Sequence, residues 1–211
     1  MPDWDNIFTE RGRVFTDPHS GIERVVKLIQ DNKGSRILDL GCGSGRHVLY
    51  LSRLGFDVHG FDASSKALNM TQEWLKDESL HANLCEHRME DPFPYDDNFF
   101  DAVISIQVIH HNPIKNIRKT IREIERVLKP GGILFVTFPV LKPRSPNEKD
   151  DWNLVKVEEG TYVPQQGWES GIPHHYFTEK EIPIEFQSFD IYDIYLDETD
   201  HRCVVARLRL S

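Results

Sequence analysis

One short stretch limits the folds open to this chain more than any other. Asp39-Leu40-Gly41-Cys42-Gly43-Ser44-Gly45 follows the apolar pair Ile37-Leu38 and opens a segment with helical periodicity. Glycines at alternate positions let the backbone turn sharply and let a ligand approach without meeting a Cβ. The free N–H groups at the start of the next helix then face that ligand. Two common cradles do not fit this spacing. A dinucleotide fingerprint needs Gly-x-Gly-x-x-Gly, and Arg46 stands where its third glycine belongs. A P-loop needs a Gly-Lys-Ser/Thr ending, which is absent.

The surrounding pattern predicts an α/β fold. Ile37–Leu40, Val58–Asp62, Ala102–Ile106 and Ile133–Phe138 are short, nearly continuous apolar runs, with Asn83–Arg88 a weaker candidate. Such runs suit strands covered on both faces, as in a parallel sheet. Helical periodicity lies between them. Ile22, Val25, Val26 and Ile29 form one stripe, and Val48, Leu51 and Leu54 a second, closed by Gly55. Ala67, Leu68, Thr71, Trp74 and Leu75 form a third, and Ile114, Ile117, Ile121, Ile124 and Leu128 a fourth, stopped by Lys129-Pro130-Gly131-Gly132. Strand–helix alternation implies right-handed crossovers and a doubly wound sheet. After Phe138 the rhythm breaks into a Pro-rich, charged excursion carrying Trp152 and Trp168, the kind of long loop that is usually functional. Thr178-Glu179-Lys180-Glu181 reads as a capping box. Phe189–Leu196 and Cys203–Leu210 read as strands joined by a turn too short for anything but antiparallel pairing. A carboxylate at the end of the second strand, Asp62, lies 23 residues after Asp39, where it can accept hydrogen bonds from both hydroxyls of a ribose. Glycine loop and acid together predict a nucleoside-bearing cofactor without the usual pyrophosphate cradle.

With these residues in view, the chain resembles the class I S-adenosylmethionine-dependent methyltransferases, in particular the type 11 methyltransferase domain. Ile37–Gly45 and Gly60-Phe61-Asp62 carry the likeness, with Asn98–Ser105, Val108-Ile109-His110-His111 and Ile124–Gly132. It spans about residues 35–138. The resemblance implies a Rossmann-like sheet of seven strands, mostly parallel with the last strand antiparallel. It implies that S-adenosyl-L-methionine is the cofactor and S-adenosyl-L-homocysteine the product. Gly41, Gly43 and Gly45, with Cys42 inside the loop, would line the methionine half, and Asp39 would orient the loop. Asp62 would bind the ribose, Met89 would meet the adenine, and Ile106 and Gln107 would lie beside the methionine. Two positions depart from the family pattern. Arg88 stands where an Asp commonly reads the adenine amino group, leaving Glu90 or Asp91 as substitutes. Ala63 replaces the larger apolar residue often found after the ribose acid.

The expected organisation is a single methyltransferase domain over 1–211. It divides into an N-terminal lid (1–34), the cofactor-binding half (35–138), a substrate-side insertion (139–177), and a closing helix and hairpin (178–211). In the lid, Trp4, Phe8 and Phe15 would fold over the cofactor. Methyl transfer from a sulfonium needs mainly proximity and alignment, and a general base only when the nucleophile arrives protonated. Histidine suits that task. The candidates are His111 and His110, just after the fourth strand, and His175, with His174 and Tyr176, at the end of the excursion. No metal is expected, since adjacent histidines point apart and no third ligand is spaced for one.

Composition narrows the setting. The 211 residues carry 25 Lys and Arg against 34 Asp and Glu, a net charge of −9 that argues against a protein whose main task is gripping nucleic acid. No run of apolar residues is long enough to span a membrane, and the first residues lack a secretory pattern. Three widely spaced cysteines (Cys42, Cys85, Cys203) form neither a disulfide framework nor a metal knuckle, so a cytoplasmic setting is expected. Lys115, Arg118, Lys119, Arg122, Arg126 and Lys129 share a helix face. That face is either solvated or a docking surface for RNA or an acidic partner. The leading expectation is a methyltransferase for a small-molecule acceptor, with unknown oligomeric state. A tRNA wobble-uridine-type enzyme and a non-catalytic cofactor-binding subunit are the alternatives, and a nicotinamide oxidoreductase is disfavoured by Arg46.

Overall fold

The computed structural model describes residues 4–13, 15–142 and 152–210. A helix α1 (Trp4–Arg11) precedes α2 (Ile22–Asp31). Alternation then runs through β1 (Arg36–Leu40), α3 (Arg46–Arg53), β2 (Asp57–Asp62), α4 (Ser65–Asp77), β3 (Asn83–Glu86), β4 (Phe100–Ile106), α5 (Ile114–Val127) and β5 (Leu128–Pro139). Three short strands follow, β6 (Leu154–Glu158), β7 (Thr161–Pro164) and β8 (His174–His175). The chain ends with α6 (Ile182–Glu185), β9 (Phe189–Leu196) and β10 (His201–Leu208).

The main sheet has seven strands in the order β3-β2-β1-β4-β5-β10-β9. Strands β1 to β5 are parallel, and β10 runs antiparallel to both β5 and β9, as the closing hairpin predicts. Side chains alternate between two cores, because successive strand residues point to opposite faces. Leu38, Leu40, Leu134, Val136 and Phe138 pack under α5 with Phe177 and Phe186. Ile37, Ile133, Phe135, Cys203 and Val205 face the other way, onto Val25, Ile29, Val48, Leu51 and Leu68 of α2, α3 and α4. Both faces are covered, which explains the continuous apolar runs.

Several boundaries differ from the sequence reading, β10 for instance running His201–Leu208, and two of them have a clear physical reason. Leu128 is the first residue of β5 and not the last helical turn, since Pro130 bars the helix and holds Lys129 extended. Leu54 caps α3 from outside the core and is exposed, because Gly55 with φ +82° turns the chain immediately after it. The capping box forms as expected: Glu181 N donates to Thr178 Oγ1 (3.2 Å) and Thr178 N to Glu181 Oε2 (3.4 Å). The described part of the excursion contributes a second, three-stranded antiparallel sheet in the order β6-β7-β8. Its charge-rich start, 143–151, lies outside the described residues. No helix among the described residues is long and apolar enough to cross a membrane.

This topology positions the site. β1 lies between β2 and β4, so the loops leaving β1 and β4 diverge and open a crevice at the carboxyl ends of the strands.

Candidate active site

The loop after β1 owes its shape to close approaches. Gly41 has φ +73°, and a Cβ there would lie 2.3 Å from Val108 Cγ1 in the loop after β4. Gly45 has φ +95°, and a Cβ there would lie 2.6 Å from Thr71 of α4. Both positions therefore demand glycine on two grounds, conformation and space. Asp62 then ties two loops together. Its Oδ2 accepts Gly43 N at 2.8 Å and its Oδ1 accepts Ser64 N at 2.9 Å. Each oxygen keeps a further lone pair for a ligand. Burial raises the Asp62 pKa, with the N–H donors of Ser64 and Gly43 opposing.

Asp39 is buried with Oδ2 lacking any hydrogen-bond partner. Burial lifts its pKa to about 7; the Arg46 guanidinium opposes this and the Asp62 carboxylate adds to it. Arg46 is itself held by the Phe15 ring, 4.7 Å from its centroid. Burial drives the Cys42 thiol well above its usual range, so it remains a thiol. On the far side of the loop, Arg88 pairs with Glu90 at 2.6 Å, so the departure from the family pattern is internally neutralised. Gln107 takes φ +62°, a rare conformation for its type, with its N–H on Thr137 Oγ1 (2.9 Å).

These groups line a single cavity of about 1220 Å³. Asp39, Gly41, Cys42, Gly43, Gly45, Asp62, Ala63, Met89, Glu90, Ile106 and Gln107 all face it. So do His110, His111, His174, Tyr176, Trp152 and Trp168. The segment before β1 reaches over it. Phe8 packs where a Cβ of Gly43 would point, at 3.4 Å, and the Trp4 ring lies 5.0 Å from that of His111. Arg11 stacks on Trp168 (4.6 Å), and Asp5 anchors α1 by accepting Ser64 Oγ (2.5 Å) and Lys66 N (3.0 Å).

The histidines sort differently from the sequence reading. His175 does not line the cavity. Its ring is buried between Thr161 Oγ1 (2.8 Å) and Glu181 Oε1 (3.0 Å), and so pins β8 to β7 and to the capping box. Strand alternation sends its neighbour His174 to the opposite side, into the cavity. His110 and His111 do not point apart. They sit in a turn closed by His111 N on Val108 O (2.9 Å), and their ring centroids are 3.9 Å apart. Burial, with the neighbouring imidazoles, holds both rings well below the usual imidazole range, so both are neutral. The premise behind expecting no metal therefore fails: His174 supplies a third imidazole.

Residues 38–136 match the family model for a methyltransferase domain. A probable tRNA methyltransferase 9B of Mus musculus is 30% identical over 173 residues, covering 77% of this chain but 36% of that protein. An uncharacterized methyltransferase of Synechocystis is 29% identical over 167 residues, covering 77% of this chain and 74% of that protein. The chain thus spans about a third of the first relative and about three quarters of the second. A solved S-adenosylmethionine-dependent methyltransferase of Methanosarcina mazei superposes with a TM-score of 0.76 at 23% identity, over 92% of this chain and 100% of that one. Residues 38–136 are thus a methyltransferase domain, and the fold is that of the class I S-adenosylmethionine-dependent methyltransferases.

The methyltransferase site suits its cofactor on its own chemistry. The orphaned, buried Asp39 oxygen is an acceptor awaiting a donor, and the ammonium of the methionine moiety is one. Asp62 offers free lone pairs for vicinal hydroxyls, and the glycine loop leaves room for backbone approach. Sequence reasoning did not find Glu169, His201 or Asn116 on the cavity wall. Glu169 sits in a loop without periodicity, and the other two arrive from other elements of the fold, so no local signal marks them. Three of the six residues on the expected basic face are committed to structure. Arg118 forms a bidentate pair with Glu185 (2.8 and 2.6 Å), Arg126 binds Glu123 and Asp97, and Lys129 binds Asp101.

Proposed function

We propose that this methyltransferase transfers the sulfonium methyl of S-adenosyl-L-methionine in line to a small-molecule acceptor held in the same cavity. One observation carries the reading. The cofactor half, around Asp39, Asp62 and the glycine loop, is continuous with a second half walled by His110, His111, His174, Trp152 and Trp168, and α1 lies across both. A cavity roofed in this way suits an acceptor that enters whole. Asp39 takes the cofactor ammonium and Asp62 the ribose. Gly41, Cys42, Gly43 and Gly45, with Ile106 and Gln107, flank the methionine, while Ala63, Met89 and Glu90 flank the adenine. His110 and His111 face the acceptor's heteroatom, and His174 takes the role expected of His175. The chain works as a single domain in which the described part of 139–177 forms the acceptor wall. Its three cysteines are free, which suits a cytoplasmic setting.

A second reading has tRNA as the acceptor. It is supported by the name of the mouse relative and by exposed Lys115, Lys119 and Arg122, which have no ion pair among the described residues. One experiment separates the two: labelled-methyl transfer screened in parallel against fractionated small metabolites and total tRNA. Label in a metabolite fraction, with no tRNA gel shift even at low salt, is expected. Label in tRNA alone would overturn the small-molecule assignment.

A further inference from the structure

Three imidazoles and a carboxylate meet at the acceptor end of the cavity. One ligand nitrogen from each of His110, His111 and His174 lies within 4.8 Å of the other two. Glu169 Oε2 is 3.2 Å from His174 Nε2, outside hydrogen-bond geometry, and Glu169 Oε1 is 3.9 Å from His111 Nε2. The tertiary fold sets this up. The turn after β4 gathers the first two rings, and His175 N donates to His110 O (2.9 Å), docking β8 so that His174 arrives beside them.

The cluster is polar, buried and unsatisfied. His110, His174 and Glu169 are each more than nine-tenths buried, and the His111 side chain is 8% exposed. His110 Nδ1 and His174 Nε2 have no hydrogen-bond partner. Two structural histidines elsewhere behave otherwise: His19 is held by Asp197 and Gly21, and His175 by Thr161 and Glu181, whereas His87 Nε2 also lacks a partner but its ring packs against Phe61 and Phe93. Orphaned buried nitrogens cost free energy unless something fills the gap between them.

We propose that His110, His111 and His174 bind a divalent transition-metal ion of the zinc class, with Glu169 as the fourth protein group. Distances permit it. With sides of at most 4.8 Å, a point within about 2.8 Å of all three nitrogens exists, and ring shifts of roughly 0.7 Å close this to the ~2.0–2.1 Å of a Zn–N bond. Ligand type agrees, since imidazole with one carboxylate selects zinc, iron or nickel over magnesium or calcium. The cavity beside the cluster leaves an open coordination position. On the methyltransferase reading, which this part of the inference rests on, that position takes the acceptor's oxygen or sulfur as an anion. The acceptor's proton leaves to solvent on coordination. Methyl transfer then forms the bond from methyl carbon to that heteroatom and breaks its bond to the sulfonium, leaving a thioether. An ion in this place removes the need for a general base.

The test uses chelator-stripped full-length protein titrated with Zn(II) by calorimetry and with Co(II) by visible spectroscopy, with S-adenosyl-L-homocysteine binding measured in parallel. One equivalent of Zn(II) and an intense Co(II) d–d spectrum of low-coordinate nitrogen ligation are expected, the latter bleached by Zn(II). His174→Ala should abolish the spectrum and weaken Zn(II) by at least ~100-fold, and Glu169→Gln should weaken it by about 10–100-fold. Cofactor-product binding by both variants certifies their fold. Wild-type protein that binds the cofactor product but neither metal overturns the metal site and leaves the methyltransferase reading standing. Protein that binds metal but not the cofactor product overturns the acceptor role and leaves the metal site. Binding that survives His174→Ala unchanged places the metal elsewhere and also refutes the proposal.

Discussion

The Asp62 carboxylate holds the Gly43 N–H at 2.8 Å, which joins the end of β2 to the loop after β1. Asp62 also lines the cavity, so one side chain shapes the glycine loop and stands where it can offer acceptors to a ribose. Asp62→Ala removes both functions. Hydrogen bonds to charged acceptors contribute about 1.5–3 kcal/mol each, so cofactor affinity should fall by roughly 100-fold or more in calorimetry. An affinity within threefold of wild type would remove Asp62 from the ribose site.

Cofactor binding should depend on pH through Asp39. Its folded pKa of about 7 lies above the ordinary 3.8, so the free protein holds a proton there that an unfolded chain releases. That group's contribution to stability is fully present below pH ~4 and is lost as pH rises through about 7. A cofactor ammonium beside the carboxylate reverses the preference and expels the proton. Affinity should therefore climb from pH 5.5 to 7, by at most about tenfold per unit. Calorimetry in buffers of different ionisation enthalpy should detect the released proton below pH 7, and Asp39→Asn should abolish both effects.

Gly41→Ala places a Cβ against Val108 as well as forcing a left-handed backbone on alanine. A cost of about 1–3 kcal/mol in stability is expected from the strain alone, together with lost cofactor binding. Adding Val108→Ala relieves the clash but not the backbone strain, so the double variant should recover part of the stability and not all of it. Full recovery in denaturant unfolding would assign the whole effect to the side-chain clash.

His175 and His174 should separate by phenotype. His175→Ala leaves Thr161 and Glu181 without their ring partner, at a cost of about 1–3 kcal/mol. A lowered Tm is expected, with cofactor-product affinity intact. Unchanged stability in His175→Ala would show that the ring does not hold β8 in place.

The strands, the glycine loop and Asp62 were legible in the sequence because each rests on a local rule. Period-2 and period-3.6 patterns report which face is buried, and a left-handed turn needs glycine at Gly41 whatever the rest of the chain does. The closing hairpin was legible for the same reason, from two apolar segments and a turn too short for a crossover. The acceptor end followed no such rule. His110 and His111 are adjacent and would point apart in a strand; only the turn after β4 brings their rings together. His174 and Glu169 come from a segment with no period to read, and which of His174 and His175 enters the cavity depends on how β8 docks onto His110 O. Local sequence fixes dihedral preferences and burial faces. The convergence of side chains from separate loops depends on packing between elements that no short stretch encodes.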